Sequence, residues 1–159
     1  MTDIKMISCE PRAEGARVAI VASRYNETIV DRLLSACLDC LLSRDVHKDS
    51  ILVTRVPGAY ELPLLARLLA RKNKFDAIIA LGAIIRGDTP HFEYIATECA
   101  HGLADTALEF NVPVIFGVLT VDDYEQAMLR SGGEESNKGT EAALTALETI
   151  AVQRSVENE

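Results

Sequence analysis

His91 ends the segment GAIIRGDTPH at 82–91 and stands where the apolar spacing of a helix begins. An imidazole titrates near physiological pH, so it can take a proton and return it. The residues just before it suit an anion. Asp88 or Thr89 can cap the coming helix, and Pro90 fits its first position. A helix start that follows a glycine offers free backbone N–H groups to a phosphate. The Asp88 carboxylate would repel such a group, so backbone donors must do the binding and a cation must come from elsewhere. Arg130 and Lys138 flank the polar stretch SGGEESNKG at 131–139 and are the positive groups on offer. That stretch is not a phosphate loop. Asn137 stands where the GxxxxGK[ST] pattern requires its second glycine, and Thr140 comes one position late.

A second group of residues suits a flat ring. Tyr25 and Tyr60 can wall a planar heterocycle, and Glu61 can accept from ring N–H groups. The plainer alternative for both groups is a capped helix start and ordinary turn residues. Cys37 and Cys40 form a CxxC, but no second pair and no His pair at ligand spacing completes a metal site. Together with Cys9 and Cys99 they read as free thiols, Cys37 on the apolar face of a helix. No metal site is expected.

Composition narrows the partners. The 159 residues carry a formal net charge of −8, which argues against general nucleic-acid binding because phosphate contacts need clustered Lys and Arg. No apolar run approaches the roughly 20 residues of a membrane helix, and the N-terminus lacks a basic-then-apolar signal pattern. A cytoplasmic protein is the expectation. With four Tyr, four Phe and no Trp, the core must be aliphatic.

The elements that must position these side chains follow from periodicity. Residues 1–16 read as an irregular or edge-strand lead-in, and 17–159 as one domain. Apolar, β-branched runs at 17–22, 51–56, 75–81 and 112–120 read as strands buried on both faces. Helices are expected at 28–44, 61–73, 91–110, 122–130 and 137–154, with loops at 84–90 and 131–136. Pro63 falls in a first helical turn, where its missing N–H costs little. Strands alternating with helices favour a three-layer, doubly wound α/β sandwich around a mainly parallel four-stranded sheet. Such folds bind ligands beyond the carboxyl ends of their strands. That is where 23–27, 57–61, 82–91 and 121–122 fall.

Six blocks in register carry a resemblance: RYN at 24–26, VPGAYELP at 56–63, ALGAIIRGDTPHFEY at 80–94, PVIFGVLT at 113–120, QAMLR at 126–130 and NKGTEAA at 137–143. Together the blocks closely resemble the 6,7-dimethyl-8-ribityllumazine synthase family, from about residue 17 to residue 152. The resemblance implies a flavodoxin-like fold and a cofactor-free condensation of 5-amino-6-(D-ribitylamino)uracil with 3,4-dihydroxy-2-butanone 4-phosphate. It also implies roles. Tyr25 stacks on the pyrimidine, where the family more often has Phe or Trp. Ala59, Tyr60 and Glu61 contact the pyrimidine substrate, Glu61 mainly through the ribityl chain rather than ring N–H groups. Ala83, Ile84 and Ile85 line the ring edge. Gly87, Asp88 and Thr89 hold the phosphate, and His91 transfers protons. Phe116 and Arg130 come from a neighbouring subunit, and Lys138 and Glu141 lie near the pocket.

The same resemblance implies a homopentamer, alone or within a 60-subunit shell, and an association with riboflavin synthase. The loop at 131–139 has a length compatible with shells, but Ser136 replaces the glycine usual before its Asn. Rival readings are an enzyme dismutating two lumazines, a non-catalytic binding or shell protein, and a generic flavodoxin-like response domain.

Overall fold

The computed structural model describes residues 4–132 and 136–159. The centre of the SGGEESNKG loop, 133–135, and the first three residues of the lead-in lie outside the described residues. Four strands form one parallel sheet: β1 (Val18–Ser23), β2 (Ile51–Val56), β3 (Ala77–Ile85) and β4 (Val114–Val121). Their order across the sheet is β2-β1-β3-β4. Among the described residues five α-helices connect or follow them: α1 (Glu27–Ser43), α2 (Leu62–Arg71), α3 (His91–Phe110), α4 (Tyr124–Arg130) and α5 (Lys138–Glu157).

Two apolar cores explain the layers. One packs Ile29, Leu33 and Leu41 of α1 with Ala143, Ala146 and Leu147 of α5 against Ile20, Ile79 and Leu81 of the sheet. The other packs Leu62, Ala66 and Leu69 of α2 with Cys99 and Leu103 of α3 against Val21, Ile78 and Ala80. Alternate residues of β1 and β3 supply both cores, as strand geometry requires. The expected three-layer α/β sandwich is therefore the fold.

The expectation of strands buried on both faces holds for β1 and for β3 up to Ile84, and fails for the other two. Leu52 and Val53 of β2 and Phe116 of β4 are exposed. The sheet order puts β2 and β4 at the edges, which local sequence does not reveal. The lead-in forms no strand over residues 4–16, although Ala13 and Ala16 are buried.

β3 corrects the expected loop at 84–90. It continues to Ile85, because β4 runs alongside it as far as Val121 and extends the ladder. β1 stops earlier, at the Ala22↔Leu81 pairing. From Ala83 onward, the edge of β3 that faces β1 therefore has no strand beside it.

α1 and α5 approach closely at one point. A Cβ on Gly139 would lie 2.0 Å from the Leu33 carbonyl oxygen. Only glycine lets the first turn of α5 seat against α1, and this contact fixes where Lys138 and Glu141 stand.

Candidate active site

The open edge of β3 sits at the point where the sheet order reverses direction. In doubly wound folds this switch point is the natural crevice for a ligand. A cleft of about 510 Å³ lies there, walled by the turns after β1, β2 and β3 and by the start of α3. The turn after β1 contributes Tyr25 and Asn26. The turn after β2 contributes Gly58, Ala59, Tyr60 and Glu61. Ala83, Ile84 and Ile85 form one edge, and Gly87, Thr89 and His91 close the far end with Phe92 and Ile95.

Each wall has a local cause. Asn26 adopts a left-handed backbone (φ 60°), which lets the chain turn from β1 directly into α1. Its Nδ2 donates to the Ala83 carbonyl at 2.9 Å, covering part of the unpaired edge of β3. A 3-10 turn at Ala59–Glu61 precedes α2, so the helix begins at Leu62, with Pro63 in its first turn as expected. Within that turn Glu61 Oε2 accepts from the Gly58 N–H at 2.8 Å. One carboxylate oxygen thus holds the turn and the other remains for a ligand. The Tyr25 and Tyr60 side chains stand out from the walls, 75% and 58% exposed.

The start of α3 differs from its expected cap. Pro90 is the cap residue, and neither Asp88 nor Thr89 gives a side-chain hydrogen bond there. The first N–H groups of α3 are therefore not taken by a side-chain cap. A twenty-residue helix presents them beside Gly87, Thr89 and His91, which suits an anion. Asp88 does not line the cleft.

Phe116, Arg130 and Lys138 are not in this cleft. They line a second cleft of about 580 Å³, along the exposed edge strand β4 and the first turns of α5. Phe116 is 47% exposed. Arg130 ends α4, where Nη1 donates to the Gln126 carbonyl at 3.3 Å. Lys138 Nζ pairs with Glu141 Oε2 at 2.6 Å. Asn137 caps α5, with Oδ1 accepting from the Gly139 N–H, and its Nδ2 bonds the Ser131 carbonyl across the base of the loop.

Sequence reasoning missed Asn26, Phe92 and Ile95. Asn26 carried a usable signal, since Asn tolerates a left-handed turn between strand and helix. Phe92 and Ile95 share the face of α3 that His91 opens, which helical spacing alone implies. The CxxC does no chemistry that the structure supports. Burial, with Cys40 nearby, pushes the Cys37 thiol up to about 12, and burial does the same to Cys99. Burial raises the Cys40 thiol as well, so both cysteines of the CxxC are biased toward the protonated form. Among the described residues no three His, Cys, Asp or Glu side chains group as a metal site, and no helix is long and apolar enough to cross a membrane.

The model of the family described as 6,7-dimethyl-8-ribityllumazine synthase covers residues 15–154 of the 159-residue chain.

Proposed function

Since the chain belongs to the 6,7-dimethyl-8-ribityllumazine synthase family, transferases of riboflavin biosynthesis, we propose that it condenses 5-amino-6-(D-ribitylamino)uracil with 3,4-dihydroxy-2-butanone 4-phosphate. The observation that carries this reading is the joining of three features in one cleft. A slot for a flat ring, between Tyr25, Tyr60 and the open edge of β3, adjoins a helix start fit for phosphate, and His91 lines the same cleft.

The chemistry follows from these parts. The 5-amino group attacks the ketone carbon, and loss of water leaves an imine. His91 takes a proton from the carbon next to the imine, giving an enamine. The electron pair then expels phosphate, whose charge the N–H groups near Gly87 and Thr89 stabilise. Phosphate loss leaves an enol at the hydroxyl-bearing carbon; its terminal carbon takes up a proton to become a methyl group, and the hydroxyl loses one. The ribityl-bearing nitrogen attacks the ketone so formed, with loss of a second water closing the ring. Both partners are intrinsically reactive, so much of the acceleration comes from holding them together in the right geometry. Glu61 receives ribityl hydroxyls through its free oxygen.

Among the described residues the lining of this cleft holds no Lys or Arg, and the cleft on β4 holds Arg130 and Lys138 but no histidine. Two copies of the chain would solve this by abutting, so that Phe116 and Arg130 of one complete the ring slot and phosphate site of the next. Lys138 and Glu141 would lie at the rim. Exposed apolar side chains on the same molecule, including Leu108, Leu129 and Tyr124, support a covered surface. A cyclic homopentamer is the assembly proposed, alone or within a shell. Association with riboflavin synthase would pass the product onward.

Mixing the two substrates with purified protein tests the activity. The expected result is lumazine absorbance rising faster than the uncatalysed reaction. No acceleration overturns the proposal. Riboflavin formed from lumazine alone would assign the chain to the dismutating reaction instead.

A further inference from the structure

Arg86 belongs to neither cleft, yet it is the most heavily engaged side chain in the connection between β3 and α3. Its backbone N–H donates to the Val121 carbonyl at 2.9 Å, just past the last rung between β3 and β4. Its Nε meets Asp122 Oδ1 at 2.9 Å, and its Nη1 lies 3.6 Å from Glu93 Oε1. The guanidinium carbon sits 4.6 Å from the centre of the Phe92 ring, a wall of the cleft. One planar group thus joins the end of β4, the first turn of α3 and an aromatic wall. Lysine, a single point charge, could not do all three.

The rest of the connection is held by little else. Among the described residues, no hydrogen bond or ion pair from a side chain of residues 87–90 fixes it. A Cβ on Gly87 would meet nothing within 4 Å. Asp122 is itself fixed, because its backbone N–H donates to Gln126 Oε1 at 3.0 Å on α4. Gln126 lies one turn before Arg130 on the same helix.

Charge points the same way. Asp122 and Glu93 put two carboxylates beside a helix start proposed to hold phosphate. Arg86 pairs with both. The Asp122 hydrogen bond, more than the contact with Glu93, raises the affinity of the guanidinium for its proton, as mutual stabilisation requires.

We propose that Arg86 is a positioning residue for the phosphate-bearing substrate, clamping the 87–91 connection to β4 and neutralising the two carboxylates that would otherwise oppose the phosphate. The inference rests on the functional reading above for the identity of that substrate. It is separable from that reading, because the clamp also predicts the binding of inorganic phosphate.

The test compares wild type with R86Q and R86K by steady-state kinetics and by calorimetric titration with inorganic phosphate. R86Q should raise KM for the butanone phosphate and weaken inorganic phosphate binding, each by about tenfold, and change KM for the uncharged pyrimidine by less than about twofold. R86K should recover part of the phosphate affinity through its charge, and D122N combined with R86Q should be milder than R86Q alone. Thermal midpoints report whether each variant folds, and D122N alone supplies a second readout if R86Q does not. Equal rises in both KM values, or unchanged phosphate affinity, overturn the inference. A wild type that makes no lumazine overturns the functional reading, and the phosphate titrations still decide the role of Arg86.

Discussion

His91 occupies the first position of α3, where its backbone N–H belongs to the free helix start and the residue lines the cleft. Proton transfer by a placed side chain is worth about 10²–10⁴ in rate, and intrinsically reactive partners put the effect at the low end. His91→Ala should therefore lower kcat by about a hundredfold and leave KM for both substrates and the thermal midpoint near wild type. A variant with wild-type kcat would remove His91 from the mechanism. Tyr25 and Tyr60 differ from this case. Their exposure leaves them free to stack, and their contribution depends on what covers them.

At the scale of elements, the extension of β3 does most to create the site. β1 ends beside Leu81, β4 continues to Val121, and the mismatch leaves a strip of unpaired strand edge that Asn26 only partly fills. The seating of α5 on α1 matters equally for the second cleft. Alanine at position 139 gains up to about 1 kcal/mol of helix propensity. Against this, its Cβ meets the Leu33 backbone oxygen, which cannot rotate away as a side chain would. Overpacking of this kind costs about 1–3 kcal/mol. The overlap is severe, so Gly139→Ala should destabilise by about 2 kcal/mol net, read as a lower denaturant midpoint with an unchanged slope. A neutral or stabilising substitution would mean that α1 and α5 do not approach as described.

At the scale of the whole molecule, the separation of the two clefts makes a strong prediction. If a site takes His91 from one copy and Arg130 from the next, two inactive variants can complement each other. Co-expressed His91→Ala and Arg130→Ala chains, mixing at random, should regain about a quarter of wild-type activity, because about one interface in four pairs two intact halves. Activity no higher than the mean of the separate variants would place both residues within a single chain's site. Light scattering gives the native mass alongside, and distinguishes a pentamer from a shell.

The alternation of apolar runs and helical stripes determined the fold class, since burial and periodicity are local properties that each segment carries in its own residue order. The ring and anion segments were legible for the same reason: His91 after Gly and Pro, and Tyr60 beside Glu61, are readable as turns between elements. Three things required the assembled chain. Strand order decides which strands are edges, and so exposed Leu52, Val53 and Phe116 where their sequences suggested burial. Unequal strand lengths across the sheet decide that Ile84 and Ile85 belong to an open ladder edge and not to a loop. Long-range contacts decide that Arg86, an unremarkable residue in an Arg-Gly-Asp tripeptide, reaches Asp122 and Glu93 at once. Each depends on groups distant in sequence meeting in space, and spacing along the chain does not encode that.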